Sequence, residues 1–276
     1  MRAGSSESRS PLVRGLIAFP ALLRVGFAEM VAYRAEVVIW ILTASVPLLM
    51  LAVFDRIADA GPVAGMGRAD FAAYFVAVLV VRQLTSAWIV WELNYQIREG
   101  SLSPALLKPV HPLFWFAAAT MATIPFRLMV LLPLVGLLVL WRPEMSFAAD
   151  PVLWVAAVPS VLMAWALNFA VQTTFGSLAF WLGQSLGVFN VWFGLYVLFS
   201  GYAIPLAALP EWVRIAAEYA PFRAVLSVPV ELVTGQVART DLPGLLALQA
   251  GWLAVGIATA SVVWRRGVRR YEAFGA

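Results

Sequence analysis

The chain is predicted to be an all-α integral membrane protein, a single transmembrane domain with six spans. Hydrophobic residues make up 62% of it and charged residues 12%, whereas soluble domains average about 45–50% and about 25%. Between Asp150 and Glu211 lie 60 consecutive uncharged residues, too many for one helix and enough for two. A further 21 uncharged residues, 244–264, are closed by Arg265 and Arg266. Apolar surface on this scale needs lipid as its solvent. A spanning helix takes about 20 apolar residues, so a chain of 276 residues suffices for six spans and modest loops. The longest stretch left outside, residues 205–243, has 39 residues. That is too short for an ordinary independent domain, so a soluble domain must come from a partner.

The N-terminal arm, residues 1–34, carries Arg2, Arg9, Arg14, Arg24 and Arg34. Its apolar stretch, residues 15–23, runs into Arg24 without the small-x-small cleavage site of a signal peptide, so the arm is expected to stay in the mature protein. The membrane domain, residues 35–264, begins with a span at about 35–54, with Glu36 at its start and a bend expected at Pro47. The second span (about 71–97) and the third (about 113–141) exceed the minimum length, and tilt accommodates the surplus. Each has an arginine mid-span, Arg82 and Arg127. The fourth and fifth spans divide the uncharged run, with their turn expected in the polar, glycine-containing stretch 173–187. There Gly183 and Gly187 match the small-xxx-small spacing that lets helices approach closely. The sixth span, 244–264, leaves a tail of residues 265–276.

Orientation follows from the basic residues. With the N-terminus inside, the arm, the connection between spans two and three (Arg98, Lys108) and the tail (Arg265, Arg266, Arg269, Arg270) place eleven basic residues in the cytoplasm. Arg56, Arg68, Arg142, Arg214, Arg223 and Arg239 make six outside. The excess favours two cytoplasmic termini. The same dispersal along loop ends makes the formal charge of +4 and pI near 9.8 a matter of topology and not of nucleic-acid binding.

Catalysis finds little support. With no cysteine, disulfides, thiolate nucleophiles and thiolate metal sites are excluded, and the single histidine, His111, cannot build a metal site alone. The spans offer an intramembrane enzyme only Glu92. No G-x-x-x-x-G-K-[ST] loop is present, and the only lysine, Lys108, follows Leu107 rather than a glycine.

Three segments can carry function. In the connection after span two, Ser103 is a good N-cap, Pro104 suits the first helical position, and Pro109 stops the helix. Leu102, Leu106 and Leu107 give this short helix an apolar surface suited to another protein's groove. A capped loop resting on the headgroups is the alternative, and His111, between two prolines, reads as a turn residue. The outer connection from Gly201 combines Pro205, Pro210, Pro221 and Pro229 with interfacial Trp212 and Tyr219. It is expected to rim a pore or to form an amphipathic lid, because irregular backbone at membrane depth survives only against protein or a water cavity. Arg82 and Arg127 cost roughly 2.5–3.5 kcal/mol each at the midplane, so both are expected to face the bundle interior. They either pair with Asn168, Gln172 or Asn190 or line a route for an anionic or amphipathic substrate. Glu92, about 15 Å along the helix from Arg82, is no obvious partner for it.

Together these segments resemble the permease subunit of the type-2 ATP-binding-cassette transporters, over nearly the whole chain. Tyr33-Arg34-Ala35-Glu36 is similar to that family's junction between an N-terminal interfacial helix and the membrane. Glu99-Gly100-Ser101-Leu102 with Leu106-Leu107-Lys108-Pro109 resembles its coupling segment. The outer stretch 201–210 with Pro221-Phe222, and the terminal Gly267-Val268-Arg269-Arg270-Tyr271-Glu272, are also similar to its pattern. The resemblance implies an exporter permease in a bacterial cytoplasmic (inner) membrane, dimeric with a second copy or a related permease. No cofactor is expected in this chain; ATP and Mg would be bound by separate ATPase subunits. It also implies that Glu99, Gly100, Ser101, Leu102, Leu106, Leu107 and Lys108 transmit ATPase motion. By their intramembrane charge or polarity, Arg82, Glu92, Arg127, Asn168 and Gln172 are candidates for the translocation path. A non-transporting membrane assembly or scaffold protein is the alternative.

Overall fold

The computed structural model of the protein describes residues 11–32 and 45–271. Among them the regular structure is helical, apart from one bridge between Val63 and Met66. The first half of span one, the 33–36 junction and Glu272 lie outside the described residues.

Helix α1 (Pro11–Ala32) runs alongside the start of the third span, with Phe19 set edge-on against Phe114 at 6.5 Å between ring centroids. Helix α2 (Ser45–Ala58) is the described part of span one, with Pro47 in its first turn. The expected second span is broken. Helix α3 (Arg68–Thr85) stops, Ser86, Ala87 and Trp88 are non-helical, and α4 (Ile89–Arg98) resumes. A four-residue helix α5 (Ser103–Leu106) follows. The third span is α6 (Pro112–Ala122) continued by α7 (Ile124–Trp141). His111 caps α6, its Nδ1 accepting from the Leu113 N–H at 3.2 Å, so it does more than turn the chain. Burial and nearby Arg265 hold this imidazole below its usual pKa, which favours the neutral acceptor.

Helix α8 (Pro151–Ser177), N-capped by the Asp150 carboxylate, is prolonged by α9 (Ala179–Leu182). The turn to α10 (Leu186–Phe199) is therefore confined to residues 183–185, at the end of the stretch 173–187. Gly183 makes this turn at φ +68, and added Cβ atoms at Gly183 and Gly187 would meet nothing within 4 Å. Neither glycine mediates close helix packing in this chain. The outer connection folds into α11 (Glu211–Tyr219), α12 (Pro221–Val225) and α13 (Ser227–Val233). Trp212 and Tyr219 on α11 are exposed, as interfacial residues should be, while Leu226, Val228, Val230 and Leu232 are fully buried. Helix α14 (Leu242–Arg270) does not end at Trp264; it continues through Arg265 and Arg266.

Among the described residues four helical stretches are long and apolar enough to cross a membrane: Arg68–Arg98, Pro112–Trp141, Pro151–Leu182 and Arg239–Arg270. The most apolar part of the first is 72% buried inside the protein, against 11% for the second and the last. The broken stretch is thus the hub, and Pro112–Trp141 and Arg239–Arg270 present their apolar sides outward. Phe71, Tyr74, Phe75 and Leu79 of α3 fill the core. Gln249 of α14 is fully buried and donates to the carbonyls of Ser160 and Ala224, both at 3.0 Å, tying α14 to α8 and α12.

At the end bearing the outer connection, Arg68 and Arg142 each grip the Asp55 carboxylate with two hydrogen bonds of 2.8–3.0 Å. One acid so clamps the ends of α2 and α7 and the start of α3. All six arginines assigned to the outer loops are in salt bridges; besides these two they are Arg56–Asp59, Arg214–Glu218, Arg223–Glu231 and Arg239–Asp150. At the opposite end, Arg98, Lys108, Arg265, Arg266, Arg269 and Arg270 have no carboxylate within salt-bridge distance among the described residues.

Candidate functional site

A helix that stops inside a membrane leaves carbonyls that water cannot reach. Here three consecutive carbonyls each accept from a side chain of another span. Asn168 Nδ2 of α8 donates to Thr85 O at 2.8 Å, Arg127 Nη1 of α7 to Ser86 O at 3.3 Å, and Gln172 Nε2 of α8 to Ala87 O. Gln172 Oε1 in turn accepts from the Val90 N–H at 3.5 Å, in the first turn of α4. Asn168 and Gln172 are four residues apart on one face of α8 and also bond to each other at 3.4 Å. The break is thus built from outside, by donors on neighbouring spans.

Beside it opens a cavity of about 180 Å3, whose lining includes Arg82, Asn168, Gln172, Trp88, Trp91 and Asn190. Phe189, Trp192, Phe193 and Tyr196 complete its aromatic wall. The Arg82 guanidinium lies 5.6 Å from the Tyr196 ring and 5.8 Å from the Tyr202 ring. Aromatic faces attract a cation, which gives this part-buried arginine compensation without a carboxylate. The wall supplies flat apolar faces and the amides supply donors and acceptors, so the cavity can hold an amphipathic molecule and place a negative group near Arg82.

The two arginines read as a pair from the sequence have different settings. Arg82 lines the cavity; Arg127 is only 5% exposed and reaches the break from behind. Glu92 is exposed on α4, accepts from Gln96 Nε2 at 2.7 Å, and does not line the cavity. Nothing in the sequence singles out Trp88, Trp91, Trp192, Tyr196 and Tyr202 from the other aromatic residues, which make up 13% of the chain. The available signal was the surplus of intramembrane donors, Arg127, Asn168 and Gln172, without matching acids: such donors require free backbone carbonyls.

The segment 99–109 also differs from expectation. Leu102, not Ser103, occupies the N-cap position, and the Ser103 side chain makes no capping bond. Leu102 is fully buried among Ile97, Phe116 and Trp264, and Leu106 lies partly buried against the same cluster. Their apolar side chains anchor the loop to the bundle. Leu107 is 88% exposed, and Glu99, Ser101 and Lys108 are exposed with it. Lys108 Nζ stands 5.3 Å from the Trp115 ring centroid.

A family model described as ABC-2 family transporter protein matches residues 40–275 of the chain. No curated protein matches it.

Proposed function

Because the chain belongs to the ABC-2 family of transporter proteins, and so is a multi-pass permease component of an ATP-binding-cassette transporter with no catalysis of its own, we propose that it forms the substrate path of an exporter driven by separate ATPase subunits. The observation that carries this reading is the cavity lined by Arg82, Asn168 and Gln172 at the break in the second span. A span interrupted where a cavity opens is able to rearrange without disrupting a continuous helix, and its carbonyls stay satisfied by donors on α7 and α8.

In this reading the chain crosses the bilayer six times, with residues 1–34 as a cytoplasmic and interfacial arm and residues 265–276 as a cytoplasmic tail. The fifth crossing is α10, whose 14 residues reach about 21 Å of a core about 30 Å thick; buried Ser200 and Tyr202 beyond it make up part of the difference. The unpaired basic end faces the cytoplasm and the ion-paired end faces out, as the positive-inside rule requires. A second copy or a related permease completes the membrane core. Partner ATPases bind ATP and Mg, and the segment of Glu99, Gly100, Ser101, Leu102, Leu106, Leu107 and Lys108 relays their motion.

Within that segment Leu107 makes the apolar contact with the ATPase, since Leu102 and Leu106 already serve the permease core. Leu107→Asp is therefore expected to abolish ATPase co-purification and stimulation while leaving permease yield and melting unchanged. Full stimulation in that variant would remove Leu107 from the dock.

A further inference from the structure

At the basic end of the bundle the C-termini of α4, α9 and α14 meet around a second cavity, of about 430 Å3, bordered by Arg98, Phe180, Trp181, Gly183, Arg270 and Tyr271. It lies apart from the aromatic cavity and shares no lining residue with it. We propose that this cavity binds the phosphate of an anionic phospholipid headgroup.

Three observations carry the proposal. Arg98 and Arg270 come from the ends of two different spans, and neither has a carboxylate partner among the described residues. The Tyr271 hydroxyl is buried and has no hydrogen-bond partner among the described residues, an unusual state for a buried polar atom and one that a phosphate oxygen would relieve. On the flank, Trp181 is 37% and Leu182 is 55% exposed; an indole and an aliphatic side chain at a helix end suit the boundary between headgroups and acyl chains. Basic pockets between spans at this depth are suited to anionic headgroups. A soluble partner would meet Leu107 and Lys108 instead.

The walls are fixed before any ligand arrives. Phe180 sits against Gly267 of α14 so closely that an added Cβ would collide with its ring. The same ring meets Trp264 at 6.0 Å and Tyr271 at 5.5 Å, edge to face. Three helix C-termini bring partial negative charge, which opposes an anion. At α4 that charge is largely spent, because the N–H groups of Glu99, Gly100 and Leu102 cap Tyr95, Ile97 and Gln96. Two full guanidinium charges outweigh what is left.

The test reconstitutes the full chain in nanodiscs holding equal phosphatidylglycerol and phosphatidylcholine, and counts lipids retained by native mass spectrometry. Preferential retention of phosphatidylglycerol is expected, and Arg98→Gln with Arg270→Gln should reduce the preference roughly thirtyfold, about tenfold for each 1.4 kcal/mol at about 1 kcal/mol per cation. The control, Arg266→Gln with Arg269→Gln, removes equal charge from positions outside the cavity and should keep the preference. Tyr271→Phe, which deletes one hydroxyl and spares the fold, should lower it about fivefold. Equal loss in the control pair would reduce the effect to bulk charge and overturn the proposal. Displacement of the lipid by inorganic phosphate would assign the cavity to a free anion, and displacement by the ATPase would assign it to docking; either result overturns the lipid assignment.

Discussion

Replacing Gln172 by leucine nearly conserves volume and removes the interactions that hold the broken span in place. The variant loses the donor to Ala87 O, the acceptor for Val90 N at 3.5 Å, and the bond to Asn168 at 3.4 Å. Two backbone groups are left without partners in a buried site. At about 1–3 kcal/mol per orphaned group the cost is about 2–6 kcal/mol, whereas hydrogen bonds between membrane helices average only about 0.6 kcal/mol each. Geometry decides between these figures: the Val90 contact is long and contributes little, while Ala87 O loses its donor in a site where Gln172 is itself buried. The expected cost is therefore about 2 kcal/mol, at the foot of the first range. That corresponds to a melting temperature lower by about 4–8 °C for a chain of this size. The assay is intrinsic fluorescence melting in nanodiscs, using the 12 tryptophans. Asn168→Leu and the double variant complete a cycle. Because the two amides bond each other and serve carbonyls at the same break, the double variant should cost less than the sum. A melting temperature for Gln172→Leu within about 1 °C of wild type, less than the shift from even 0.5 kcal/mol, would refute the account of the break.

The two intramembrane arginines should separate by phenotype. Arg127→Gln should lower melting and transport together, since Ser86 O loses its donor, while Arg82→Gln should melt within a few degrees of wild type and transport poorly; the opposite pattern would reverse the roles assigned to them. The Asp55 clamp makes a pH prediction. Hydrogen bonds from Arg142, then Arg68, hold its carboxyl well below the usual carboxylate range, so the stabilisation is present above the unfolded value of about 3.9 and is lost as pH falls through the lower folded value. Wild type should accordingly outmelt Asp55→Asn by a constant margin from neutral pH down to about pH 5, and the margin should shrink only in stronger acid; a margin that closes between pH 7 and 5 would contradict the clamp. A cysteine placed at Gln236 on this cysteine-free background should react with an impermeant maleimide in intact cells, and reaction only after lysis would invert the proposed topology.

Composition and charge spacing were enough to reveal a helical membrane protein and the approximate limits of its long apolar stretches. Lipid imposes these on the chain locally, through the apolar length a crossing needs and the cost of charge inside it. The order of Tyr33 to Glu36, Glu99 to Pro109 and the outer Pro-rich stretch likewise pointed to the family, whose match covers residues 40–275. Helix ends were less legible. The α14 helix runs on past Trp264 because arginines are good helix formers, and a charge marks where lipid ends, not where hydrogen bonding along the backbone ends.

Only the tertiary structure decided where the second span breaks. Thr85-Ser86-Ala87-Trp88 contains neither proline nor glycine, and nothing local forces the helix to stop there. The break is stable because Arg127, Asn168 and Gln172, distant in sequence, supply donors to three freed carbonyls. Tertiary packing also separated Arg82 from Arg127, and buried Leu102 while leaving Leu107 exposed. Hydropathy is a property of each residue alone and was readable at once, whereas satisfaction of a buried polar group belongs to a pair of atoms that only the folded chain brings together.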